Sequence, residues 1–573
     1  MCKNLIILFL SAFLSITTFA QKSAKPANAF EGLVKQAIAK AYPASVLMWE
    51  IDAATGNRMS AQFSGVVVTK EGFVLSAAHV VRNDHSYQVM FPDGKVATAK
   101  GLGRIAFPPD NMVPDAAMLK LNGDGPWPFA PMGSSYGLLV GQPCISIAYP
   151  ETVEQRKPNV RLGEIKVLKN EYGFIESSCL MEPGDSGGPL FDLDGKVIGI
   201  HSGIRESEQV NYEVPVDTYR KFWNALTKPA DYTSLPKDSI LLDALANSKS
   251  GPGIALKKDE VKQFGKADRN TIRTCVTISS TLDGRMQTVI GTLIAQDGLP
   301  GKKDPKSTLI ISKNSMVGTD AEISLAKGGW QEFGLKRPGL QVIARDKKHD
   351  LVLLKLSARM GEEAVSLKHA KADSIAPLEL GTLLLSQVNG TAVWGALGSQ
   401  YITLPPKSSY GYIGAATGLK GDKLVFTIVQ PNSAAADAGI KVGDAVVQIG
   451  NTKPEDELDF VKALTGKMAG DTVTINTIAD GKPVQRTVIL KYPPQRKSNH
   501  PAEHFAGGKS IRRDGFKDVF IQDAIIKPEQ CGSPVFDLKG NFMGINIARL
   551  SRTSTVVVPA AALRKFVIDN LTK

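Results

Sequence analysis

Cysteine is scarce in this chain, five in 573 residues, with no C-x-x-C pair and no grouping with the seven histidines at metal-ligand spacing. That argues against a structural zinc module and against a scaffold built from disulfides. No metal and no cofactor is expected. Beyond the first twenty residues no stretch is long and apolar enough to cross a bilayer. Concentrated positive charge is also missing. The formal net charge is +12, but the lysines are spread among alternating strand-like segments, and no arginine-rich or zinc-finger-like motif gathers them. The excess is therefore read as general surface charge, compatible with an acidic partner or an envelope surface, and no specific nucleic-acid partner is expected.

What is present begins with Lys3, an apolar run from Leu5 to Phe19 and T-F-A at Thr18 to Ala20, the three parts of a secretory signal peptide. Cleavage near Ala20 predicts a periplasmic or secreted protein whose mature chain has no transmembrane segment. Cys2 precedes the apolar run, so a lipoprotein anchor is not expected. The remaining length suits three or four domains. Glycine at 53 of 573 residues and many short Val- and Ile-rich runs favour a mainly β architecture.

The most informative stretch is E-P-G-D-S-G-G-P, Glu182 to Pro189, which sets one serine between glycines at a sharp turn before an apolar strand. Such a turn presents an oxygen nucleophile together with backbone N–H groups that point into a common space. Upstream, Phe63 to Val81 reads as two strands joined by a turn at Lys70 to Gly72, with His79 just beyond the second. Asp115 immediately precedes the apolar strand of P-D-A-A-M-L-K-L, where a buried carboxylate needs a partner such as an imidazole.

Taken together, G-V-V-V…V-L-S-A-A-H-V-V, D-A-A-M-L-K-L and P-G-D-S-G-G-P-L-F-D-L-D-G-K-V-I-G-I resemble the catalytic segments of the HtrA/Deg family of trypsin-fold serine proteases. The resemblance covers about residues 40 to 225. It implies a pair of six-stranded barrels with His79, Asp115 and Ser186 as catalytic triad, separated by 36 and 71 residues. The N–H groups of Gly184 and Ser186 would then form the oxyanion hole. Leu180, six residues before the serine, corresponds to the floor of the primary pocket and implies an apolar P1 residue. His201, Ser202 and Gly203 match the edge that pairs with substrate. His201 is read either as narrowing the pocket or as an ordinary wall residue. Asp185 departs from the family pattern, where asparagine is usual, and is similar to the trypsin version, where it binds a freshly cleaved amino terminus. No activation sequence is evident, so Asp185 needs another partner, and an oxyanion loop awaiting an activator is an open reading. If a disulfide forms, Cys144 and Cys179 are the expected pair, with Cys275 and Cys531 remaining.

Residues 229–270 read as a linker with a short amphipathic helix at Ser239 to Ala246. Strand-like periodicity then restarts as a second copy of the first domain. G-T-L-I-A-Q-D-G and L-I-I-S-K-N-S-M-V put Ser315 where His79 stands, and H-D-L-V-L-L-K-L puts Asp350 where Asp115 stands. K-P-E-Q-C-G-S-P puts Cys531 in the place of Ser186 and Glu529 in that of Gly184. Serine cannot serve as the base near neutral pH, so this degenerate second site is expected to be inactive.

Asp350 and Cys531 are 181 residues apart, about 110 more than the first copy requires, which is room for one small inserted domain. Within it, Y-G-Y-I-G-A and V-Q-P-N-S-A-A-A-D-A-G-I-K-V-G-D-A-V-V-Q-I-G resemble an HtrA/Deg PDZ domain. Tyr412, Ile413, Gly414 and Ala415 would receive a terminal carboxylate while a peptide adds as a strand, and Leu458 and Val461 would line the groove from a helix.

The expected organisation is a signal peptide at 1–20, a trypsin-like protease domain at 30–228, a linker at 229–270, and a degenerate trypsin-like domain at 271–403 and 509–573. A PDZ domain at 404–492 and a return linker at 493–508 interrupt the last. The fold class is thus mainly β, two trypsin-like double β-barrels with a PDZ domain inserted in the second. The expected function is an exported serine endopeptidase of unfolded or damaged proteins, with unfolded polypeptides and peptide C-termini as partners. The alternatives are an inactive peptide-binding or chaperone-like scaffold and a processing protease for one envelope substrate.

Overall fold

The computed structural model describes residues 28–106, 114–153, 156–204, 210–237, 274–282, 284–301, 303–320, 323–326, 339–360, 364–370, 378–388, 390–495 and 498–572. The leader, the helix expected at 239–246 and most of the linker expected at 229–270 lie outside these residues. The chain forms two compact units, one of Met1–Ile402, Asn499–Lys509 and Asp518–Lys573, the other of Thr403–Ser498 and Ser510–Lys517. No helix among the described residues is long and apolar enough to cross a membrane.

In the first unit, residues 28–41 are helical and lead into a barrel. Its strands run Val96–Ile105, Ser86–Met90, Ser45–Ile51, Phe63–Val67, Phe73–Ala77 and Ala116–Leu121, and the last pairs back to the first to close the ring. Asp231–Tyr232 adds in parallel at Arg104 and Ile105. The barrel closes around Val46, Met48, Phe63, Val67, Val74, Tyr87, Val89 and Leu119, all buried. Alternation is nearly lost in Phe63–Val67, which is buried at every position, because each face of that strand meets packed side chains.

A second closed barrel follows, of Pro143–Ala148, Asn159–Val167, Ile175–Ser177, Asn211–Pro215, Val197–Ile204 and Pro189–Phe191. Leu138, Cys144, Ile165, Ile175, Cys179, Leu190 and Ile198 form its interior. A third group, including Val66, Leu75, Met118, Ile145, Val160, Ile200, Val214 and Tyr219, fastens the two barrels to each other. The segments carrying His79, Asp115 and Ser186 therefore stand on a rigid support.

The rest of the first unit consists of two open sheets. One runs Ile323–Leu325, Cys275–Leu282, Arg285–Ile294, Thr308–Lys313, Leu351–Leu356 and Leu340–Asp346. The other includes, in order, Thr391–Ala396, Leu383–Val388, Pro534–Asp537, Phe542–Arg549, Thr555–Pro559 and Phe516–Gln522, and is followed by the helix Ala560–Leu571.

The second unit follows Thr391–Ala396 in sequence and runs into the first two residues of Phe516–Gln522. It is an antiparallel sheet in chain order, Ala415–Lys420, Lys423–Val429, Ala445–Ile449, Thr472–Ala479 and Lys482–Ile489. Ser433 caps the short helix Ala434–Asp437 by accepting from Ala436 N–H, and Asp456 caps Glu457–Leu464 by accepting from Asp459 N–H. Phe426 and Phe460 meet edge to face at 5.7 Å in its core. The return linker expected at 493–508 is not a simple connection. Residues 499–509 belong to the first unit, and 510–517 return to the second, where Asp514 accepts from the Ser408 and Ser409 N–H groups at 2.7 and 3.0 Å.

Candidate active site

His79 stands in the turn that follows strand Phe73–Ala77, and Asp115 stands just ahead of Ala116–Leu121, which pairs with that strand. The pairing brings the two residues together: Ala78 N–H donates to Asp115 C=O at 3.1 Å, and His79 N–H to Asp115 Oδ1 at 2.9 Å. Asp115 is fully buried and Oδ2 lies 2.9 Å from His79 Nδ1. Ser202 donates its hydroxyl to the same Oδ2 at 2.5 Å. This network assigns the proton to Nδ1, leaving Nε2 as the basic nitrogen. Burial lowers the affinity of His79 for a proton, but the Asp115 charge and hydrogen bond outweigh it and raise the pKa above its ordinary value.

His79, Ser186, Ser202 and Gly203 line one cavity of about 150 Å³ with Met181, Glu182, Pro183, Ile204, His500 and Pro501. The Ser186 hydroxyl makes no hydrogen bond to His79, a looseness common in ligand-free sites, where catalytic contacts tighten when substrate binds. Gly184 has φ +94°, and a Cβ there would lie 2.5 Å from Tyr149 C=O. Only glycine fits that turn without strain. Among the described residues the N–H groups of Gly184 and Ser186 donate to no acceptor, while Asp185 N–H closes onto Glu182 C=O at 3.0 Å and Gly187 N–H onto His201 C=O at 2.8 Å. Two N–H groups beside a nucleophile remain for a developing oxyanion.

The partner of Asp185 is Arg161, from strand Asn159–Val167. Its two terminal nitrogens meet the two carboxylate oxygens at 2.7 Å each, with Arg161 2% and Asp185 0% exposed. Burial opposes the guanidinium charge, and Asp185 outweighs that opposition, raising the Arg161 pKa. Sequence reasoning missed this arginine, because it lies among other charged and polar residues, in K-P-N-V-R-L-G-E-I-K-V, and nothing local marks it as buried.

Two expected pocket residues stand elsewhere. Half-buried Leu180 lines a larger cavity of about 480 Å³ with Arg161, Cys179, Trp394, Asp523 and Thr553, while Met181 faces the catalytic one. His201, on strand Val197–Ile204, is fully buried, with Nε2 2.7 Å from Ser146 Oγ. It neither narrows the cavity nor forms its wall. Its Nδ1 lies 3.6 Å from Glu213, a separation that suggests an ion pair. Burial pushes the His201 pKa down to about 3 and the Glu213 pKa well up, so it disfavours the charged form of each.

The second constellation is different in chemistry. Asp350 accepts from Ser315 N–H at 2.7 Å and from Ser315 Oγ at 2.8 Å, and it also faces Lys313 Nζ at 2.6 Å, with lysine and aspartate almost fully buried. The lysine was not anticipated. Cys531 is buried and donates its N–H to Pro528 C=O at 3.2 Å within the 3-10 turn Pro528–Gln530. Glu529 is not among the residues with positive φ, so its turn differs from that of Gly184. Cys144 Sγ and Cys179 Sγ lie 3.9 Å apart as thiols, and no disulfide is present among the described residues.

In the second unit, Tyr412 spends its N–H and C=O on Lys491, at 2.8 and 3.1 Å, so its backbone is not available to a carboxylate. Ile413 C=O accepts from Ala435 and Gly414 C=O from Gln430, which leaves the N–H groups of Ile413 and Gly414 without an acceptor among the described residues. Ala415 begins the strand Ala415–Lys420 at the edge of the sheet. Leu458 and Val461 are 59% and 58% exposed on the helix Glu457–Leu464, while Phe460 is turned into the core.

A family profile described as a trypsin-like peptidase domain matches residues 63–200, and one described as a PDZ domain matches 411–490. The chain is 28% identical over 211 residues to a putative serine protease HhoA of Synechocystis sp., covering 34% of this chain and 51% of that one. It is 28% identical over 180 residues to serine protease HTRA1 of Xenopus tropicalis, covering 30% and 36%. To a probable periplasmic serine endoprotease, DegP-like, of Hahella chejuensis it is 32% identical over 170 residues, covering 28% and 35%. The chain thus spans about half or less of the length of these curated relatives. A crystal structure of a serine endoprotease from Yersinia pestis overlaps 80% of this chain and 98% of that chain at 15% identity, with a TM-score of 0.28 that carries no structural argument. With the closed double barrel, these matches make residues 63–200 similar to trypsin-like peptidase domains, those of the named serine proteases among them, and residues 411–490 similar to PDZ domains.

Proposed function

We propose that this protein is an exported serine endopeptidase that cleaves unfolded or damaged polypeptides, acting in the periplasm or outside the cell. The observation that carries the reading is the convergence of Asp115-oriented His79 and Ser186 on one cavity beside two N–H groups that have no acceptor among the described residues. Ser186 Oγ attacks the peptide carbonyl while His79 Nε2 takes its proton. The oxyanion is held by Gly184 and Ser186 N–H, and the same imidazolium then protonates the departing amine. Asp115 keeps the imidazole in the required tautomer and stabilises its charged form, and Ser202 holds Asp115 in turn. Water repeats the sequence on the acyl-enzyme.

The chain from 271 onward is proposed to be a degenerate trypsin-like fold interrupted by the PDZ domain, with the Lys313–Asp350 pair where the first domain has its base. The PDZ domain would bind peptide C-termini or extended segments along Ala415–Lys420, using the Ile413 and Gly414 N–H groups, with Leu458 and Val461 facing the added strand. An apolar P1 residue is proposed on the strength of Met181 and Ile204 in the cavity lining.

Incubation with unfolded casein tests the reading. The wild-type chain and Cys531→Ala should cleave it alike, while Ser186→Ala should lose roughly 10⁵-fold or more of the rate. Intact casein in every sample would instead favour a peptide-binding scaffold, and a single cut in one folded substrate would favour a processing protease.

A further inference from the structure

The turn that carries Ser186 is not held by its own barrel alone. Glu182 closes that turn: its C=O accepts from Asp185 N–H at 3.0 Å and its own N–H donates to Asp185 Oδ2 at 2.9 Å. Its side chain is 3% exposed, and the carboxylate accepts a hydroxyl from Thr152. It also accepts from Ser551 at 2.8 Å and from Thr553, which lie 369 and 371 residues further along the chain.

Ser551 and Thr553 belong to the tight connection between strands Phe542–Arg549 and Thr555–Pro559, closed by Leu550 N–H on Ser554 C=O at 2.9 Å. Polar connections ordinarily run over the surface. Here Ser551, Arg552, Thr553 and Ser554 are each at most 3% exposed. The two hydroxyls fix one another, since Thr553 N–H donates to Ser551 Oγ at 3.2 Å and the two oxygens are also 3.2 Å apart. A second tie runs alongside. Asp523 accepts from Leu162 N–H at 2.7 Å and from Ala396 N–H at 2.6 Å, which anchors the residue next to Arg161.

We propose that Ser551 and Thr553 are positioning residues for the oxyanion turn, holding the Glu182 carboxylate so that Gly184 and Ser186 keep their N–H groups aimed at the reacting carbonyl. The inference rests on the protease reading above and adds what keeps that site assembled. The Arg161–Asp185 pair fixes one side of the turn and the 551–553 hydroxyls fix the other, so the turn is set without a freed amino terminus and without a second chain. Removing the hydroxyls leaves a buried carboxylate with too few donors, and Glu182 must move to regain them. Pro183 and Gly184 follow, because they are adjacent in the chain. Such a displacement acts on the oxyanion contacts, which are made in the transition state.

The test uses the full chain and a chromogenic peptide with an apolar P1 residue, with kcat and KM measured separately. Affinity for a matching peptide boronate, which mimics the tetrahedral adduct, and the melting temperature are measured alongside. Ser551→Ala with Thr553→Val should lower kcat about tenfold or more and weaken boronate binding by a similar factor, leaving KM within about twofold. Thr553→Ser should restore wild-type values. Wild-type kcat and boronate affinity in the double variant overturn the inference, and so does a loss that tracks only the fraction folded. Should the double variant not fold, Glu182→Gln carries the test, because it keeps the shape but removes one acceptor; unchanged kcat there overturns the inference. A wild-type chain with no Ser186-dependent turnover refutes the protease reading and this inference with it. Turnover that needs Ser186 but ignores Ser551 and Thr553 refutes this inference alone.

Discussion

Asp115 and Asp350 both stand in the left-handed backbone region, at φ +57° and +59°, and both accept the N–H of a nearby residue, His79 or Ser315, on Oδ1. Aspartate tolerates this conformation better than most residues with a Cβ. What separates the two is the next group. An imidazole can gain and lose a proton near neutral pH, whereas a serine hydroxyl cannot, and Asp350 also meets the buried Lys313 Nζ at 2.6 Å. Because Asp115 raises the proton affinity of His79, and because the base must be neutral to act, kcat/KM should rise with pH through a midpoint above about 6.5. Asp115→Asn should move that midpoint to lower pH, since burial then acts without the opposing charge, and should reduce kcat by roughly 10⁴. A pH–rate profile of the two proteins reads both effects, and a wild-type midpoint at or below the ordinary imidazole value contradicts the first.

At the scale of elements, the nucleophile turn depends on one backbone conformation that few sequences permit. Gly184 combines φ +94° with backbone atoms of Tyr149 and Glu151 less than 3 Å from any added Cβ. Gly184→Ala should therefore cost about 1–3 kcal/mol at the turn, seen as a lower urea midpoint or as a relaxed oxyanion geometry. If the turn relaxes, kcat falls while KM changes little; a variant with unaltered stability and kcat would show that the turn is not under this constraint. The same reasoning explains the turn before Cys531. Glu529 lacks the freedom of glycine, and the segment winds instead into a 3-10 turn capped by hydrogen bonds between Lys527 and Gln530. In the PDZ-like unit, local signals were sufficient. The caps Ser433 and Asp456, and Gly443 at φ +96°, mark boundaries that are fixed by near neighbours in the chain.

At the scale of the whole molecule, the chain retains costly buried charge far from the reacting atoms. Lys313 is 1% exposed, pairs with Asp350 and also donates to Ile547 C=O at 2.8 Å. Lys313→Met would leave Asp350 buried with neutral donors only, so a destabilisation of about 3–5 kcal/mol is expected in urea unfolding. Activity per folded molecule should stay at the wild-type value, because neither residue lines the catalytic cavity. A loss of kcat in folded Lys313→Met would show instead that this region is coupled to the chemistry.

The sequence by itself determined the features that depend on near neighbours in the chain. These are the short strands read from alternation, the turn glycines, the helix caps, and the motifs around His79, Asp115 and Ser186. Each of these is a local rule of backbone geometry or residue chemistry, so it survives without knowledge of the fold. Only the tertiary structure decided which distant groups meet. Arg161, on strand Asn159–Val167, reaches Asp185 across 24 residues, and Ser551 and Thr553 reach Glu182 across 369 and 371 residues. The same is true of His201 and Leu180, whose side chains leave the catalytic cavity despite their place beside its motifs. Buried charges select partners by direction and distance in space, and sequence separation carries little information about either.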